Sequence, residues 1–339
     1  MIEIDGSYLE SGGQILRTSI TFSVILKEPC RVFNIRKKRD NPGLQTQHLN
    51  ALLALANLCN AKVEGAELLS QEVKFFPGEI SKNYIDIKIE TAGSITLILQ
   101  TLILPSIFSK EVVEISIVGG ATDTFFAPTM DYFQFVFLKF LEKVGVKTEI
   151  NVIKRGYFPE GEAKVIAKIF PSKLKNIQIL EPGNLKKIII LSGASNKLKE
   201  KKVAERQITG AKSILGKLNL PLEEKINYYD TLCPGSNFCE IAEFENSILG
   251  VDNLGKIGKS AEEIGKETSL NLLEEAKNNP PLDSHLADQI IPYLALAKGK
   301  SSFKTSKITN HLKTNAFLIE KFTKRKIIID ENNKVIEII

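Results

Sequence analysis

The stretch ITNHLKTNAFLIEKF, at residues 308–322, contains His311, one of only three histidines in the chain. Apolar residues such as Leu312 and Ala316 recur at helical spacing and predict a helix with one buried face. A neutral imidazole attacks phosphorus readily when a hydrogen bond to its other ring nitrogen fixes the tautomer. Asn315, four residues after His311, is a candidate for that bond. A half-buried histidine, satisfied by Asn315 or a backbone carbonyl, is the alternative.

A second stretch with chemical potential is LESGGQILR, at residues 9–17. Gly12 and Gly13 precede a predicted helix, and a helix N-terminus behind a glycine turn favours an anion. Glu10 is unusual beside an anion pocket, and it suggests a bridging Mg²⁺ or Mn²⁺ ion. The alternative is a simple glycine turn in which Glu10 interacts with the helix dipole.

A basic segment precedes the second predicted helix. NIRKKRDNPGLQTQH has four consecutive basic residues before a Pro-Gly turn. Arginine guanidinium groups match phosphate oxygens in geometry, although a solvated basic loop is the usual reading of such a run. With polar residues from the adjacent helices, the segment predicts a phosphate pocket formed by Arg17, Arg36, Arg39, Gln47 and His48.

Polar residues also interrupt two apolar helices. Gln100 falls within SITLILQTLILP, where a buried amide needs a partner. In SHLADQIIPYLALA, His285, Asp288 and Gln289 lie close together at the helix start, where Asp288 could bind ribose hydroxyls and His285 could stack on a base. A solvated first turn capped by Ser284 is the alternative.

The stretch GKIGKS, at residues 255–260, resembles a P-loop but lacks its first glycine. A P-loop needs glycine five positions before the Gly-Lys-Ser, and Asn253 stands there instead. A nucleotide site is therefore not predicted here.

Composition sets the broad class of protein. The chain has 339 residues with a net charge of +5, which is too mild to show nucleic-acid binding by itself. It has no apolar run of about 20 residues, so no membrane span is predicted. The four cysteines form no CxxC pair, which favours reduced thiols and a cytoplasmic location. The oligomeric state, monomer or homodimer, is left open.

The elements that must position these residues recur along the chain. A strand, helix, strand, helix, two-strand order (βαβαββ) is predicted twice in full, and a third copy near the end begins at its first helix. A segment of different texture separates the second copy from the third. The predicted fold is α/β (α+β), with three repeats and a smaller inserted α/β domain that includes a basic helix at 197–218. The predicted ranges are 1–181 for repeats one and two, 182–277 for the insert and 278–339 for repeat three.

Several motifs together resemble one family, the RNA 3′-terminal phosphate cyclases, in particular its prokaryotic, archaeal members. The resemblance runs nearly end to end and implies the same three-repeat architecture with an insert. Its motifs in this sequence are ETAGSITLILQTLILP, VGGATDT with APTMDY, CPGS at 233–236, HLADQ at 285–289 and NHLKTN around His311.

The resemblance implies an ATP-dependent reaction in three steps with Mg²⁺ or Mn²⁺. A histidine takes AMP from ATP, AMP passes to an RNA 3′-phosphate, and the 2′-OH closes a 2′,3′-cyclic phosphate. By motif position, His311 matches the adenylated histidine, Glu10 the metal-supporting carboxylate, and Arg17 and Arg39 the catalytic phosphate side. The RNA phosphate is assigned to Arg36, Gln47 and His48. The ATP contacts are assigned to Gln100, Pro128, Tyr132, His285, Asp288 and Gln289.

The sequence departs from the family pattern in two loops. Around Glu10 the family more usually has Gly-Glu-Gly-Gly-Gly-Gln, where this chain has Leu9 and Ser11. The loop after Pro159 lacks the usual glycines. Neither change removes a group that the reaction needs. The alternative function is a non-catalytic, cyclase-like RNA-binding protein acting in ribosome assembly, although such relatives lack the histidine. A carboxyvinyl-transferase-like enzyme is disfavoured because its substrate sites are not found.

Overall fold

The computed structural model describes residues 1–339. Its sixteen strands form four separate four-stranded sheets covered by helices, which confirms the predicted α/β (α+β) class. The strands of the first two sheets are β1 (Ile2–Asp5), β2 (Cys30–Phe33), β3 (Lys62–Glu64), β4 (Val73–Phe76), β5 (Tyr84–Ser94), β6 (Val113–Ala121), β7 (Thr148–Lys154) and β8 (Lys164–Ile169). The remaining strands are β9 (Gln178–Ile179), β10 (Leu185–Ser195), β11 (Leu222–Tyr229), β12 (Ser236–Phe244), β13 (Ile248–Leu254), β14 (Ser301–Lys304), β15 (Ile327–Asp330) and β16 (Val335–Ile338).

Nine α-helices connect and cover the sheets. They are α1 (Gln14–Leu26), α2 (Thr46–Cys59), α3 (Ile95–Ser106), α4 (Met130–Tyr132), α5 (Lys139–Lys143), α6 (Val203–Leu215), α7 (Ala261–Glu275), α8 (Ser284–Leu296) and α9 (Asn310–Phe322). A π-helical segment, Phe133–Leu138, joins α4 to α5. None of these helices has the length and apolar character that crossing a bilayer requires.

Three of the sheets share one strand arrangement. Their orders are β1-β2-β4-β3, β5-β6-β8-β7 and β9-β14-β16-β15. In each of them the first pair is parallel and the other pairs are antiparallel. A parallel pair needs a crossover, and a helix supplies it in the first two sheets, α1 and α3 respectively.

The third sheet takes its first strand from before the intervening segment. β9 pairs with β14, so a strand within the range 1–181 completes a sheet whose other strands lie in 278–339. This strand was not predicted, because two residues are too few to show a periodic pattern in the sequence. Its two residues pair as Gln178 with Ser302 and Ile179 with Phe303.

The fourth sheet has a different order, β11-β10-β12-β13, and α6 and α7 cover it. Twelve buried apolar residues between this sheet and its two helices form a second core. Other residues of the sheet, such as Leu191 and Ile241, belong to the 66-residue core that it shares with the other three sheets. The helix predicted at 197–218 is shorter than expected. α6 is limited to Val203–Leu215, while the lysine-rich residues before it form a 3₁₀ turn, Asn196–Leu198, followed by further turns.

Helices α1, α8 and α9 begin close together. Thr309 caps α9 by accepting from the Leu312 amide at 2.9 Å, and Asp283, rather than Ser284, caps α8. The far end of α9 packs on α1 through stacked rings of Phe22 and Phe322, 5.8 Å apart. Buried apolar packing therefore fixes the first turns of these helices, where the candidate residues lie.

Candidate active site

His311 is half-buried on the first turn of α9, and each of its ring nitrogens lies next to an oxygen atom. Its Nδ1 contacts Oε1 of Gln14 on α1. The amide nitrogen of Gln14 donates to the His311 carbonyl oxygen at 3.3 Å, which fixes the orientation of the amide. Since Oε1 only accepts, Nδ1 carries the ring proton. The other nitrogen, Nε2, is left with a free lone pair 3.2 Å from Oε2 of Glu10.

The environment of His311 favours the neutral ring. Burial is the main cause that lowers its pKa below the usual 6.5, and the positive charges of Arg17 and Arg39 act in the same direction. Glu10 opposes them because a carboxylate stabilises the imidazolium. The lowered pKa leaves most of the histidine unprotonated at pH 7, the state that a nucleophile requires.

The loop that carries Glu10 has an unusual backbone. Leu9 and Ser11, on either side of Glu10, have left-handed φ angles of 44° and 54°. Such angles are unfavourable for residues with a Cβ. Ser11 is fully buried, and its hydroxyl donates to the Gly6 carbonyl at 3.0 Å and accepts from the Lys38 amide at 3.3 Å. These bonds hold Glu10 between the end of β1 and the basic loop.

Arginine side chains surround this loop. Nη2 of Arg39 lies 3.6 Å from Oε2 of Glu10. Gly12 lies between Arg39 and His311. A Cβ added to Gly12 would lie 3.6 Å from Nη2 of Arg39 and 3.7 Å from Cε1 of His311. Arg17 pairs with no carboxylate, and burial lowers its pKa to about 10. A partly desolvated, unpaired guanidinium is suited to binding an anion.

His48 and Arg36 differ in how far they match the predicted phosphate pocket. His48 is buried, its Nδ1 accepts from the Gln45 amide at 3.2 Å, and burial lowers its pKa to about 3. It is therefore a neutral donor packed against Gly13 and cannot attract phosphate by charge. Arg36 remains partly exposed, although its guanidinium donates to the Asn41 carbonyl at 3.2 and 3.3 Å.

A second polar group lies where α3 meets α8. Nε2 of Gln100 donates to Oε1 of Gln289 at 2.8 Å, so the two amides satisfy each other in an otherwise apolar contact. Asp288, one residue earlier, is buried and accepts from the Thr309 hydroxyl. Burial raises the pKa of Asp288 to about 7.

Asn315 does not contact the imidazole. Its Nδ2 donates to the Asp288 carbonyl at 2.7 Å, and its Oδ1 accepts from Thr18 at 3.0 Å. It therefore joins three helices beneath His311, while Gln14 makes the ring contact that the sequence had suggested for Asn315. Gln14 could have been noticed because it lies three residues before Arg17, on the same helix face.

The remaining predicted residues lie around this centre. His285 is exposed on the first turn of α8, and Gln47 is partly exposed at the start of α2. The Pro128 carbonyl accepts from Thr96, one helical turn before Gln100 on α3, at 2.9 Å. Tyr132 is less accessible than the other predicted ATP contacts, because it is 1% exposed and its hydroxyl donates to Asp283. A base could stack on Tyr132 only after this packing opened.

The carboxylate of Glu10 is not part of a protein-built metal cage. No group of three or more His, Cys, Asp and Glu side chains is arranged to hold a metal ion. Mg²⁺, however, commonly binds one carboxylate together with phosphate and water oxygens. The single carboxylate of Glu10, close to Arg39 and to the unpaired Arg17, fits that mode of binding.

Comparison with known proteins identifies the family of the chain. The family model "RNA 3′-terminal phosphate cyclase" matches residues 8–329. The proteins named RNA 3′-terminal phosphate cyclase from Pyrococcus furiosus and Saccharolobus solfataricus are 46% and 42% identical to this chain. The alignments cover 95% and 96% of this chain, and 93% and 96% of those relatives. This chain belongs to the RNA 3′-terminal phosphate cyclase family.

Proposed function

We propose that this protein is an enzyme that converts an RNA 3′-terminal phosphate to a 2′,3′-cyclic phosphodiester, using ATP and a covalent histidine–AMP intermediate. The observation that carries the proposal is the arrangement of His311. Gln14 holds its Nδ1, and its Nε2 faces Glu10 beside Arg17 and Arg39. Together with membership of the family, this arrangement supports nucleophilic attack on a phosphorus atom.

The proposed reaction has three displacements at phosphorus. Nε2 of His311 first attacks the α-phosphorus of ATP, and the bond to the bridging oxygen breaks to release pyrophosphate. An oxygen of the RNA 3′-phosphate then attacks the same phosphorus, so the P–N bond breaks and the imidazole is regenerated. Finally the 2′-OH attacks the 3′-phosphorus and AMP leaves. The last step is fast because its nucleophile belongs to the same ribose.

The residues divide between two substrates in this proposal. Gln100, Pro128, His285, Asp288 and Gln289 bind the adenosine part of ATP. Arg36 and Gln47 bind the RNA phosphate, and Arg17 and Arg39 neutralise charge at the reacting phosphates. Glu10 would hold Mg²⁺ or Mn²⁺, which supplies positive charge at the ATP phosphates. His48 supports the Glu10 loop through its contact with Gly13.

Covalent labelling tests the proposal directly. Incubation with [α-³²P]ATP and Mg²⁺ or Mn²⁺ should label the wild-type protein, and His311→Ala should abolish the label. His285→Ala is the matched control, since it should require more ATP but still accept the label. An unlabelled wild type, or a labelled His311→Ala variant, would contradict the proposal.

A second experiment separates the enzyme from the alternative, a non-catalytic RNA-binding protein. A 3′-phosphorylated RNA treated with the protein and ATP should become resistant to phosphatase, because a cyclic diester is not a substrate for that enzyme. The same RNA treated with His311→Ala should stay sensitive. Equal sensitivity after both treatments would favour the RNA-binding protein.

A further inference from the structure

Three loops on one side of the molecule bring exposed apolar and cationic groups together. The rings of Phe125 and Phe158 meet edge to face with centroids 5.7 Å apart, and Nζ of Lys256 lies 5.7 Å from the Phe125 centroid. Phe126 and Ile257 are completely exposed, and Phe158 is half exposed. We call these five residues the aromatic cluster. Exposed apolar groups concentrated in this way mark a binding surface.

A group of four lysines lies further along the same surface. Lys197, Lys199, Lys201 and Lys202 are exposed, and none of them forms an ion pair with a carboxylate. They occupy the turns before α6, and we call them the lysine segment. Most other lysines near α6 and α7 are neutralised, as Lys212 is by Glu224 at 2.7 Å. The lysine segment is therefore a local excess of positive charge.

Direct contacts connect the aromatic cluster to the lysine segment. The Tyr157 carbonyl, next to Phe158, accepts from the Cys233 thiol at 3.2 Å. Lys197 donates to the carbonyl of the exposed Leu232, beside Cys233. A ligand could thus pass from Phe158 over Leu232 to the lysine segment without leaving the protein surface.

The aromatic cluster is also continuous with the candidate active site. Phe126 is two residues before Pro128, whose carbonyl is bonded to Thr96 on α3. On the other side, close contacts connect the Phe158 loop to the phosphate pocket. Gly161 of this loop is so close to Ala92 that a Cβ added to it would lie 3.3 Å from Cα of Ala92. The next residue, Gly93, is close to Gln47, because a Cβ added to Gly93 would lie 3.9 Å from Cβ of Gln47.

We propose that the aromatic cluster and the lysine segment bind the single-stranded part of an RNA substrate upstream of its 3′-end. This inference rests on the proposed function, which supplies the 3′-end at Arg36 and Gln47. Bases stack on Phe126 and Phe158, and phosphates contact the lysine segment. Aromatic faces combined with unpaired cations are the usual means of binding single strands without reading their sequence. The fourth sheet, which carries the lysine segment, thereby gains a role in holding the substrate.

Binding of RNAs of different length tests this inference without ATP. The two ligands are a 20-nucleotide single strand and a trinucleotide, both with 3′-phosphates. Each would be titrated against three proteins: wild type, a Phe126→Ala/Phe158→Ala variant, and a variant with all four lysines of the segment changed to alanine. Loss of stacking should weaken binding of the 20-mer by about tenfold or more. In the lysine variant, the slope of log K against log[salt] for the 20-mer should become shallower by up to about 3, since each lost phosphate contact contributes about 0.7. Trinucleotide binding should change little.

Matched controls come from the same chain. Phe108→Ala/Phe135→Ala removes two half-exposed rings elsewhere. Alanines at Lys298, Lys300, Lys324 and Lys326 remove four exposed lysines near the far ends of α8 and α9. These controls should bind the 20-mer as wild type does. Wild-type affinity in the test variants, equal losses in the controls, equal losses for the trinucleotide, or equally tight binding of blunt duplex RNA would overturn the inference.

The labelling of His311 separates this inference from the proposed function. The test variants should still accept AMP from [α-³²P]ATP, because none of the changed residues is assigned to ATP or to the reacting phosphates. If wild type cannot be labelled while the length-dependent binding is as expected, the proposed function fails and the RNA surface stands. If labelling is normal and binding is unchanged in the test variants, the surface fails alone.

Discussion

The proposed role of His311 as a nucleophile needs its second ring nitrogen engaged, and Gln14 makes that contact from the first turn of α1. Both ends of its amide bind His311, so the amide holds the ring and the backbone of the residue at once. From the sequence, the histidine could be found by its motif, but its partner could not. Asn315 is four residues away on the same helix, whereas Gln14 is 297 positions away and meets His311 only through packing of α1 on α9.

Changing Gln14 should alter both the rate and the pH dependence of His311 labelling. Gln14→Met fills a similar volume but cannot accept from Nδ1, so we expect the rate of adenylylation to fall about 10- to 100-fold. Gln14→Glu keeps an acceptor and adds negative charge, which raises the pKa of His311. In wild type the rate should fall in acid, because the protonated ring cannot attack. In Gln14→Glu that fall should begin at higher pH.

Single-turnover labelling from pH 5 to 8 would measure this effect. Thr18→Val, which removes a hydrogen bond to Asn315 rather than to the ring, is the control and should leave the pH profile in place. Identical profiles for wild type and Gln14→Glu would show that Gln14 does not set the protonation of His311.

Ser11 combines a strained backbone with two buried hydrogen bonds, so two substitutions separate these effects. Ser11→Ala keeps the left-handed φ of 54° and loses both bonds, which should lower the free energy of unfolding by about 1–3 kcal/mol. Ser11→Gly loses the same bonds but relieves strain worth about 1–2 kcal/mol. Denaturant titration should therefore rank wild type first, glycine second and alanine last. Equal stability of the two variants would mean that φ strain at Ser11 is negligible.

At the scale of elements, the long helices could be predicted from the sequence better than the short strands and turns next to them. α9 and α3 were visible because apolar residues repeat at helical spacing over more than three turns. The two-residue β9 was missed because it is too short for any pattern. The lysine-rich start of the predicted helix at 197–218 forms turns instead, and Lys202 before α6 has a left-handed φ of 48°, which a continuous right-handed helix cannot contain. All four lysines of these turns are exposed.

The junction of α8 and α9 should make stability depend on pH through Asp288. Burial raises its pKa from 3.8 to about 7, so between these values the native state retains a proton that the unfolded state has released. Stability should therefore fall as pH rises through this range, by at most about 1.4 kcal/mol per pH unit. Asp288→Asn should remove that component. Urea unfolding at pH 4, 5, 6 and 7 would measure it.

Glu240 provides the comparison for that measurement. It is buried under α7 in the fourth sheet, and burial raises its pKa to about 8. Glu240→Gln should remove a similar dependence that extends further, to about pH 8. A pH profile of Asp288→Asn parallel to that of wild type would show that Asp288 is ionised in the native state throughout.

At the scale of the whole molecule, a buried ionic network joins the fourth sheet to the second. Arg155 pairs with Asp123 at 3.1 Å and with Asp131, and all three side chains are buried. From the fourth sheet, Asn237 donates to Asp131 and accepts from the Tyr157 hydroxyl at 2.6 Å. Asp123 and Asp131 belong to the VGGATDT and APTMDY motifs that carried the family resemblance. The sequence marked these motifs as related to the family, but only the fold shows that they serve the contact between two sheets.

Removal of Arg155 should therefore destabilise the molecule far more than removal of a surface charge. Arg155→Met leaves two buried carboxylates without a counterion, which should lower the free energy of unfolding by about 3–5 kcal/mol at pH 7. Adding Asp123→Asn and Asp131→Asn to the same variant should recover part of that loss, because no buried charge is left unpaired. Lys139→Met is the control, since it breaks an exposed pair with Glu142 and should cost less than about 1 kcal/mol.

If denaturant titration gave Arg155→Met and Lys139→Met the same stability, the network would contribute nothing to the contact between the sheets. If the triple variant were no more stable than Arg155→Met, loss of packing rather than unpaired charge would explain the defect.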